Sequence, residues 1–410
     1  MFKNGLLFLS LFCACNVFAQ LDASVTSWIL NTNSDTGYNG LTSNVQQVQY
    51  SANNVYVSCS CIPGYDIGPW QGNPNTPSNQ NFVFKITRNP AQNTGTLINT
   101  ALGHIGVWSN GVSIYNQKDG NSYSNQNVWH QNAIVVEGVS FDDCLGHPAG
   151  NGEYHHHLNP TCLYDDTDNT QHSPVIGFAF DGFPIYGAYG YTNANGTGAI
   201  KRMESSYRMR AITTRTTLAD GSTASNPGPA VSLTYPLGYY LEDFEYVQGL
   251  GDLDAHNGRF SITPEYPNGT YAYFVTLDSS LEAVFPYILG LQYYGTVQAG
   301  NTGPASGHNS VTETVSTYST TSVNEQYKNL NLSLFPNPAS DILNIAVKGV
   351  TGGKFSVCIT DMLGKKFLEL KNMLIQEIEV MDIKNIPSGL YTITLKSENY
   401  FSVSKFVTQK

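Results

Sequence analysis

Three consecutive histidines, at positions 155 to 157, are the residues of this sequence best suited to metal chemistry. In an extended strand alternate side chains share a face, so His155 and His157 would point one way and His156 the other. Divalent transition ions accept neutral imidazole nitrogens at about 2 Å, and two imidazoles from one rigid strand supply part of such a site. The pattern predicts a copper or zinc site whose third ligand comes from elsewhere in the chain.

His147 is the first choice for that third ligand. It follows the segment 142–146 and is joined to the histidine triplet by the glycine-containing loop 149–152, which could fold it back. The other candidates are, in order, His172 and His104, each ahead of one copy of a repeated hairpin, and then the weaker His256 and His130. Imidazoles suit copper and zinc equally, so the sequence does not choose between the two ions.

The histidines also permit chemistry without a metal. His155 and His157 could form an acid/base pair tuned by Asp181 or Glu153, and the same two carboxylates could instead orient metal ligands or act as a base beside the ion. The sequence lacks GxSxG, HExxH and P-loop patterns, which disfavours a standard hydrolase or nucleotide enzyme. Whether the chain is an enzyme is therefore left open.

A third interpretation is a surface module that binds polysaccharide or a small molecule, in which the histidines are only structural. Tyr186 belongs to one of several tyrosine-rich stretches that could stack on sugar rings, and Arg259 could clamp a carboxylate or phosphate. Tyrosines at strand spacing also fill cores, and a lone arginine often forms an internal ion pair. Both residues are candidates for substrate binding.

Four cysteines predict disulfide bonding near the histidines. Cys144 and Cys162 bracket them, and a bridge between the two would close a loop of about 19 residues, worth roughly 3 kcal/mol. Cys59 and Cys61 could form a strained local bridge or cross-link to the first two, since four cysteines permit three connectivities. A copper site with cysteine and histidine ligands is the alternative.

Composition and the first residues indicate an exported globular protein. The 410 residues are 41% hydrophobic and carry a net charge of −11, which disfavours a nucleic-acid partner because phosphate binding needs a basic surface. Residues 1–19, with Lys3 followed by an apolar run, are predicted to be a Sec signal peptide; Cys15 offers a lipoprotein alternative. No later apolar stretch is long enough for a transmembrane helix.

The remainder is predicted to be mainly β, because glycine, proline and aromatic residues are plentiful and helical periodicity is absent. Residues 20–299 would form a large, sandwich-like antiparallel domain, residues 300–330 a Ser/Thr/Gly-rich linker, and residues 331–410 a small β-sandwich. Residues 105–115 and 176–186 match at a spacing of 71, including an Asn-Gly or Asp-Gly turn. We expect a duplicated hairpin, with two sheet halves packed on each other.

The C-terminal segment 331–410 contains the stretches FPNPASDILNI, DMLGK and PSGLYTITL. It resembles the type A sorting domain of the type IX secretion system of Bacteroidota. The resemblance implies that the secretion machinery recognises this segment, that the protein crosses the outer membrane, and that it is released or attached to the cell surface.

The main domain, from about residue 80 to 295, resembles the YHYH-domain family. The matching stretches are CLGHP at 144–148, EYHHHL at 153–158, HSPVIGFAFDGFPIYG at 172–187, and NGRF through PEYPNGTYAYF at 257–274. One departure is His156, where the family motif has tyrosine. The resemblance implies an exported domain and brings no established reaction.

Overall fold

The protein is described by a computed structural model over residues 21–303, 305–319, 328–329, 331–348, 353–361, 365–375, 378–397 and 400–410. The predicted signal peptide at 1–19 lies outside these ranges. The chain divides into two compact units, the first ending at Tyr318. Each unit is described separately below.

The first unit contains strands with only two short α-helices in its described part, as the absence of helical periodicity predicts. The helices are α1 (Ala23–Thr26) and α2 (Ala133–Glu137), with 3-10 turns at Tyr38–Gly40, Tyr123–Asn125, Gly138–Ser140 and Leu241–Asp243. The strands are β1 (Val45–Tyr50), β2 (Asn54–Cys59), β3 (Phe82–Thr87), β4 (His104–Trp108), β5 (Ser113–Tyr115), β6 (Lys118–Ser122), β7 (His130–Asn132), β8 (Gly146–Pro148), β9 (Tyr154–His156), β10 (Val175–Ala179), β11 (Pro184–Tyr186), β12 (Tyr189–Tyr191), β13 (Ile200–Arg202), β14 (Tyr207–Met209), β15 (Phe244–Tyr246), β16 (Gly258–Ser261), β17 (Thr270–Phe274) and β18 (Ser316–Tyr318). No helix in the described ranges is long and apolar enough to cross a bilayer.

Two sheets enclose the main core. A four-stranded sheet has the order β18-β1-β2-β3, and an eight-stranded sheet has the order β16-β17-β11-β10-β4-β5-β9-β8. β3 alternates buried and half-buried residues, which is typical of a strand with one face on the core. The central strands β4 and β10 are buried throughout. Phe84 of β3 packs on Phe180 after β10, with ring centroids 5.2 Å apart, so apolar burial joins the sheets.

The two matching hairpins lie side by side at the centre of the larger sheet, and not in facing layers. β4 pairs antiparallel with β10, and each hairpin has a bulge at the same place. In both turns only the glycine is left-handed, with φ of 82° at Gly111 and 89° at Gly182. That conformation is a type I turn followed by glycine, where the sequence favoured type I′.

The duplication continues to both edges of the sheet. β5 pairs in parallel with β9 and β11 in parallel with β17, while β8 and β16 complete the edges in antiparallel pairing. We call β4, β5, β8 and β9 the histidine half, and β10, β11, β16 and β17 the arginine half. In the shared register His156 corresponds to Tyr273 and Gly146 to Gly258. His147 therefore matches Arg259, and the residues matching His155 and His157 are Ala272 and Phe274.

The first part of the predicted linker packs on the main unit. β18 pairs with β1, and the Gly307 carbonyl accepts a hydrogen bond from the Val83 amide at 2.6 Å. Asn301 bonds both backbone groups of Lys85 through its side-chain amide. Polar side chains of this linker segment bond backbone groups of β3 that lack a neighbouring strand. A segment without large apolar residues is ordered in this way. Residues 320–327 of the predicted linker lie outside the described ranges.

The second unit is a small β-sandwich, as predicted. Its strands are β19 (Lys328–Asn329), β20 (Asn331–Phe335), β21 (Ile342–Lys348), β22 (Gly353–Asp361), β23 (Lys366–Ile375), β24 (Ile378–Asp382), β25 (Gly389–Lys396) and β26 (Tyr400–Thr408). They form a five-stranded sheet, β19-β26-β25-β22-β23, and a three-stranded sheet, β20-β21-β24. Leu343 and Ile345 of the smaller sheet share one buried cluster with Ile359 and Ile393 of the larger.

Candidate metal centre

Three imidazoles meet where β8, β9 and the end of α2 come together. His147 on β8 lies directly across from His155 on β9, so their side chains share a face of the sheet. His157 follows β9 and alternation brings it to the same face. Glu137, the last residue of α2, completes the group. The ligand atoms of these four residues all lie within 4.8 Å of one another.

Three imidazole Nε2 atoms and one carboxylate oxygen converge in this group. The His155 Nε2 lies 3.1 Å from the Nε2 atoms of both His147 and His157. The Glu137 Oε2 lies 3.2 Å from the His147 Nε2 and 3.9 Å from that of His157. Ligand atoms around a tetrahedral zinc ion, at about 2.0–2.1 Å from the metal, are separated by about 3.3 Å. The spacing therefore fits a small divalent ion.

The opposite ring nitrogens are already used. The Nδ1 of His155 bonds the Glu153 carbonyl at 3.1 Å, and that of His157 bonds the Asn116 carbonyl at 2.5 Å. A carbonyl oxygen only accepts, so each Nδ1 carries the hydrogen and, in a neutral ring, each Nε2 is a bare lone pair. Two lone pairs facing each other at 3.1 Å repel, and a shared cation would make the contact favourable.

His147 is oriented in the same way. Its Nδ1 lies 2.7 Å from the Ser140 hydroxyl oxygen, and that hydroxyl donates its only hydrogen to the Glu137 carbonyl. The serine oxygen is then the acceptor for a hydrogen on the Nδ1 of His147, while the Asn73 amide nitrogen lies farther from the same Nδ1, at 3.4 Å. In their neutral form, all three imidazoles thus turn an Nε2 lone pair inward.

The electrostatics leave these ligands ready to bind a cation. Burial lowers the pKa of His155 well below its usual range, and the nearby His157 and His147 lower it further. Burial also lowers the pKa of His157 to about 4, although the Glu137 carboxylate opposes the shift. For Glu137 burial raises the pKa, but a hydrogen bond from His147 and the attraction of His157 and His147, in the protonated form of these rings, outweigh it, and the net shift is downward. At neutral pH His155 and His157 are neutral and the carboxylate is ionised.

Packing and covalent bonding hold the cluster in register. Tyr115 stacks on His155 with ring centroids 3.7 Å apart, and Phe141 lies edge-on to His147 at 4.8 Å. Cys144 and Cys162 form the predicted disulfide, which encloses all three histidines in one loop. The ligand segment is therefore closed by a covalent bond as well as by strand pairing.

An anchored turn precedes His147. The Tyr154 hydroxyl donates to both oxygens of Asp142, and the Asp142 Oδ1 also accepts the amides of Cys144 and Gly146. The arginine half repeats this arrangement, with Tyr271 donating to both oxygens of Asp254. The same backbone device thus supports His147 in one half and Arg259 in the other.

The imidazoles line an open cleft of about 530 Å³. Tyr115, Lys118 and the apolar Val136 and Val139 form part of its wall. Val139 in this wall is 76% exposed. A small molecule entering the cleft would reach the three inward-facing lone pairs.

The remaining predicted site residues lie outside this cluster. His104 and Glu153 form a buried pair, with the Nδ1 of His104 2.9 Å from a Glu153 oxygen. Only the backbone carbonyl of Glu153 contacts the cluster, through the Nδ1 of His155. Asp181 belongs to the arginine half, where it accepts from the Tyr273 hydroxyl at 2.6 Å and the Gly295 amide at 2.8 Å; burial raises its pKa to about 6.

His172, Tyr186 and Arg259 gather in the arginine half, around the residue that matches His157. Phe274 stacks on Tyr186, packs against His172, and lies under the Arg259 guanidinium at 5.9 Å. The guanidinium bonds the backbone carbonyls of residues 191 and 192. Neither Tyr186 nor Arg259 lines the cleft beside the imidazoles.

Cys59 and Cys61 are free thiols, so the predicted bridges involving them are wrong. Strand β2 ends at Cys59, and Cys61 has a left-handed φ of 65°, which removes the strand alternation expected between them. The Cys61 thiol donates to the Tyr154 carbonyl at 3.1 Å. Burial raises the pKa of Cys59 to about 12, so this thiol stays protonated.

Glu137 is the residue of the cluster that sequence reasoning missed. It is the only acidic residue between positions 120 and 141, and it directly follows the apolar run 133–136. A single carboxylate at the end of a short apolar segment was a usable signal. Its spacing from the histidines, however, carries no periodicity that would join it to them.

Residues 83–285 match the family profile described as YHYH protein, and residues 333–409 match the profile described as secretion system C-terminal sorting domain. A search of curated proteins found no match. The sorting domain indicates export through the type IX secretion system to the cell surface or the extracellular space.

Proposed function

Because the chain is a YHYH-domain protein that ends in a type IX sorting domain, we propose that it is an exported metalloprotein. Its ion would be a single divalent copper or zinc, held by His147, His155, His157 and Glu137. The observation that supports this most directly is the convergence of three Nε2 lone pairs, each fixed by a hydrogen bond at the opposite ring nitrogen.

The donor set limits the choice of ion. Three imidazoles and a carboxylate are borderline ligands suited to divalent copper or zinc, whereas Cu(I) prefers sulfur. The nearby sulfurs are unsuited as ligands, since Cys144 is in a disulfide and the Cys61 thiol bonds a carbonyl. Copper exceeds zinc in intrinsic affinity for such a site, so availability outside the cell would decide which ion is held.

The cleft favours a role in which the ion meets a small molecule. A bound divalent ion would supply Lewis-acid chemistry there. Glu137 is the most exposed of the four ligands and lies 3.9 Å from the Nε2 of His157, so it is the ligand best placed to move aside. Ser140 and the carbonyls of Glu153 and Asn116 would hold the imidazole rings in place. Binding of polysaccharide stays a prediction from sequence.

Elemental analysis of the purified full chain tests this proposal. We expect close to one equivalent of copper or zinc in the wild type, and its loss in His155→Ala and His157→Ala. His172→Ala is the matched control, because it removes a half-buried histidine from the arginine half and should keep the metal. A folded wild type that takes up no stoichiometric copper or zinc, even after incubation with either ion, would refute the proposal.

A further inference from the structure

A second group of chemically active side chains lies beside the metal cleft. The Nδ1 of His104 is 2.9 Å from the Glu153 Oε1, and its Nε2 is 2.9 Å from the Ser306 hydroxyl oxygen. The three residues come from distant parts of the chain: β4, the residue before β9, and the ordered segment that precedes β18. A hydroxyl, an imidazole and a carboxylate in this order have the connectivity of a nucleophile, its base and the group that orients the base.

Burial and aromatic packing hold the His104–Glu153 pair in place. His104 is 8% exposed and Glu153 2% exposed, so their pair is buried. The edges of Phe82, Phe84 and Phe180 surround the imidazole, with ring centroids 5.2 to 5.8 Å away. This packing fixes the ring with one nitrogen on the carboxylate and the other on the serine.

The hydroxyl faces open space. Ser306, His104 and Glu153 line a cavity of about 540 Å³, together with the apolar side chains of Phe82 and Leu102. Gly103, whose backbone amide makes no hydrogen bond within the described residues, lines the same cavity. A backbone amide without a partner is the type of donor that can stabilise a developing oxyanion.

We propose that Ser306, His104 and Glu153 form a catalytic triad that hydrolyses small, uncharged carboxylic esters without a metal. The carboxylate holds a hydrogen on the Nδ1 of His104, so its Nε2 can accept one. The Ser306 hydroxyl has two acceptors in reach, the Gly303 carbonyl at 2.6 Å and this Nε2. Rotation of the hydroxyl from the carbonyl to the imidazole would activate it.

The reaction balances with water as the only co-reactant. The serine oxygen bonds to the ester carbonyl carbon while its proton passes to the Nε2 of His104. The imidazolium then gives that proton to the leaving alkoxide as the carbon–oxygen bond breaks. Water, deprotonated by the same nitrogen, releases the acid and restores the serine.

A fluorophosphonate probe tests the triad, because it forms a phosphorus–oxygen bond with an activated serine and releases fluoride. We expect the chelator-treated full chain to gain one probe, mapped to Ser306 by peptide mass analysis, and to hydrolyse p-nitrophenyl acetate. Ser306→Ala should abolish both. Ser310→Ala, which removes an exposed serine of the same segment, should change neither.

His104→Gln should slow labelling by about 10²-fold or more, as expected for loss of a general base. Circular dichroism would establish that this variant is folded, and the mapping itself uses the wild type. A wild type that is not labelled at Ser306, or a folded His104→Gln labelled at the wild-type rate, would overturn the triad. Because labelling is measured without metal, a wild type that is labelled at Ser306 but takes up no copper or zinc in the elemental analysis would refute the metalloprotein proposal and leave the triad standing.

Discussion

Replacing Tyr154 by phenylalanine should lower both the stability of the main unit and the affinity of its proposed metal site. The hydroxyl donates to both Asp142 oxygens, at 3.1 and 2.9 Å, and it links β9 to the turn that leads into His147. Without this hydroxyl, the buried Asp142 carboxylate loses one of its hydrogen-bond donors. Loss of a hydrogen bond to a charged group costs about 1.5–3 kcal/mol, so we expect the free energy of unfolding to fall by that amount.

The same hydroxyl supports the spacing of the ligands. It keeps β8 and β9 aligned, and these strands carry His147 and His155, whose Nε2 atoms are 3.1 Å apart. Removing a group that supports metal ligands typically lowers affinity by about 10- to 100-fold. Competition with a chromogenic chelator would measure the dissociation constant, and urea unfolding of the metal-free chain would measure stability.

The arginine half supplies the control. The Tyr271 hydroxyl makes the same contact with Asp254, at 2.9 and 3.1 Å, so Tyr271→Phe should cost a similar free energy of unfolding. It lies in the half without imidazole ligands and should change metal affinity by no more than about twofold. Equal losses of affinity in both variants, or an unchanged affinity in Tyr154→Phe, would refute this account.

Three other predictions concern stability. His156→Tyr should raise the free energy of unfolding by about 1–2 kcal/mol. Neither buried ring nitrogen of His156 has a hydrogen-bond partner of good geometry in the described chain, whereas the hydroxyl of the matching Tyr273 bonds Asp181. An unchanged or lower melting temperature would contradict this prediction. For Asp181, burial raises the pKa from 3.8 to about 6, so the folded state keeps a proton that the unfolded state loses. Wild-type stability relative to Asp181→Asn should therefore fall by about 2 kcal/mol as the pH rises from 4 to 7, measured by urea unfolding, and a pH-independent difference would contradict it. Replacing both Cys144 and Cys162 by alanine should cost about 3 kcal/mol, in agreement with reduction of the wild type, whereas Cys358→Ala in the other unit should leave the main unit unchanged.

Local backbone geometry explains how much of the site could be predicted. Alternation along a strand is independent of the rest of the fold, so it places His155 and His157 together. His147 joins them because a short antiparallel return of the chain is also a local feature. Glu137 reaches the histidines only because α2 packs against the sheet. Its position in the sequence does not predict that contact.

The duplication shows a similar limit. The central hairpins share enough residues to be recognised, but the turns at 142–146 and 254–258 share only their first Asp and last Gly. What the edges of the two halves have in common is hydrogen bonding, which appears only when registers are compared. The segment 300–318 was expected to be unpacked for the opposite reason, since its polar side chains bond strand backbone in place of forming a core.

The repeated sheet separates the backbone from the chemistry placed on it. The backbone follows the same path in both halves. The histidine half carries the imidazoles of His147, His155 and His157, and the arginine half carries Arg259, Ala272 and Phe274 at the matching positions. Under the metalloprotein proposal, exchanging three side chains on this scaffold would create or remove the imidazole ligands while the strand order stays intact. Introducing histidine at positions 259, 272 and 274 would place three imidazoles at the matching positions of the arginine half and give the protein a second candidate site for an ion.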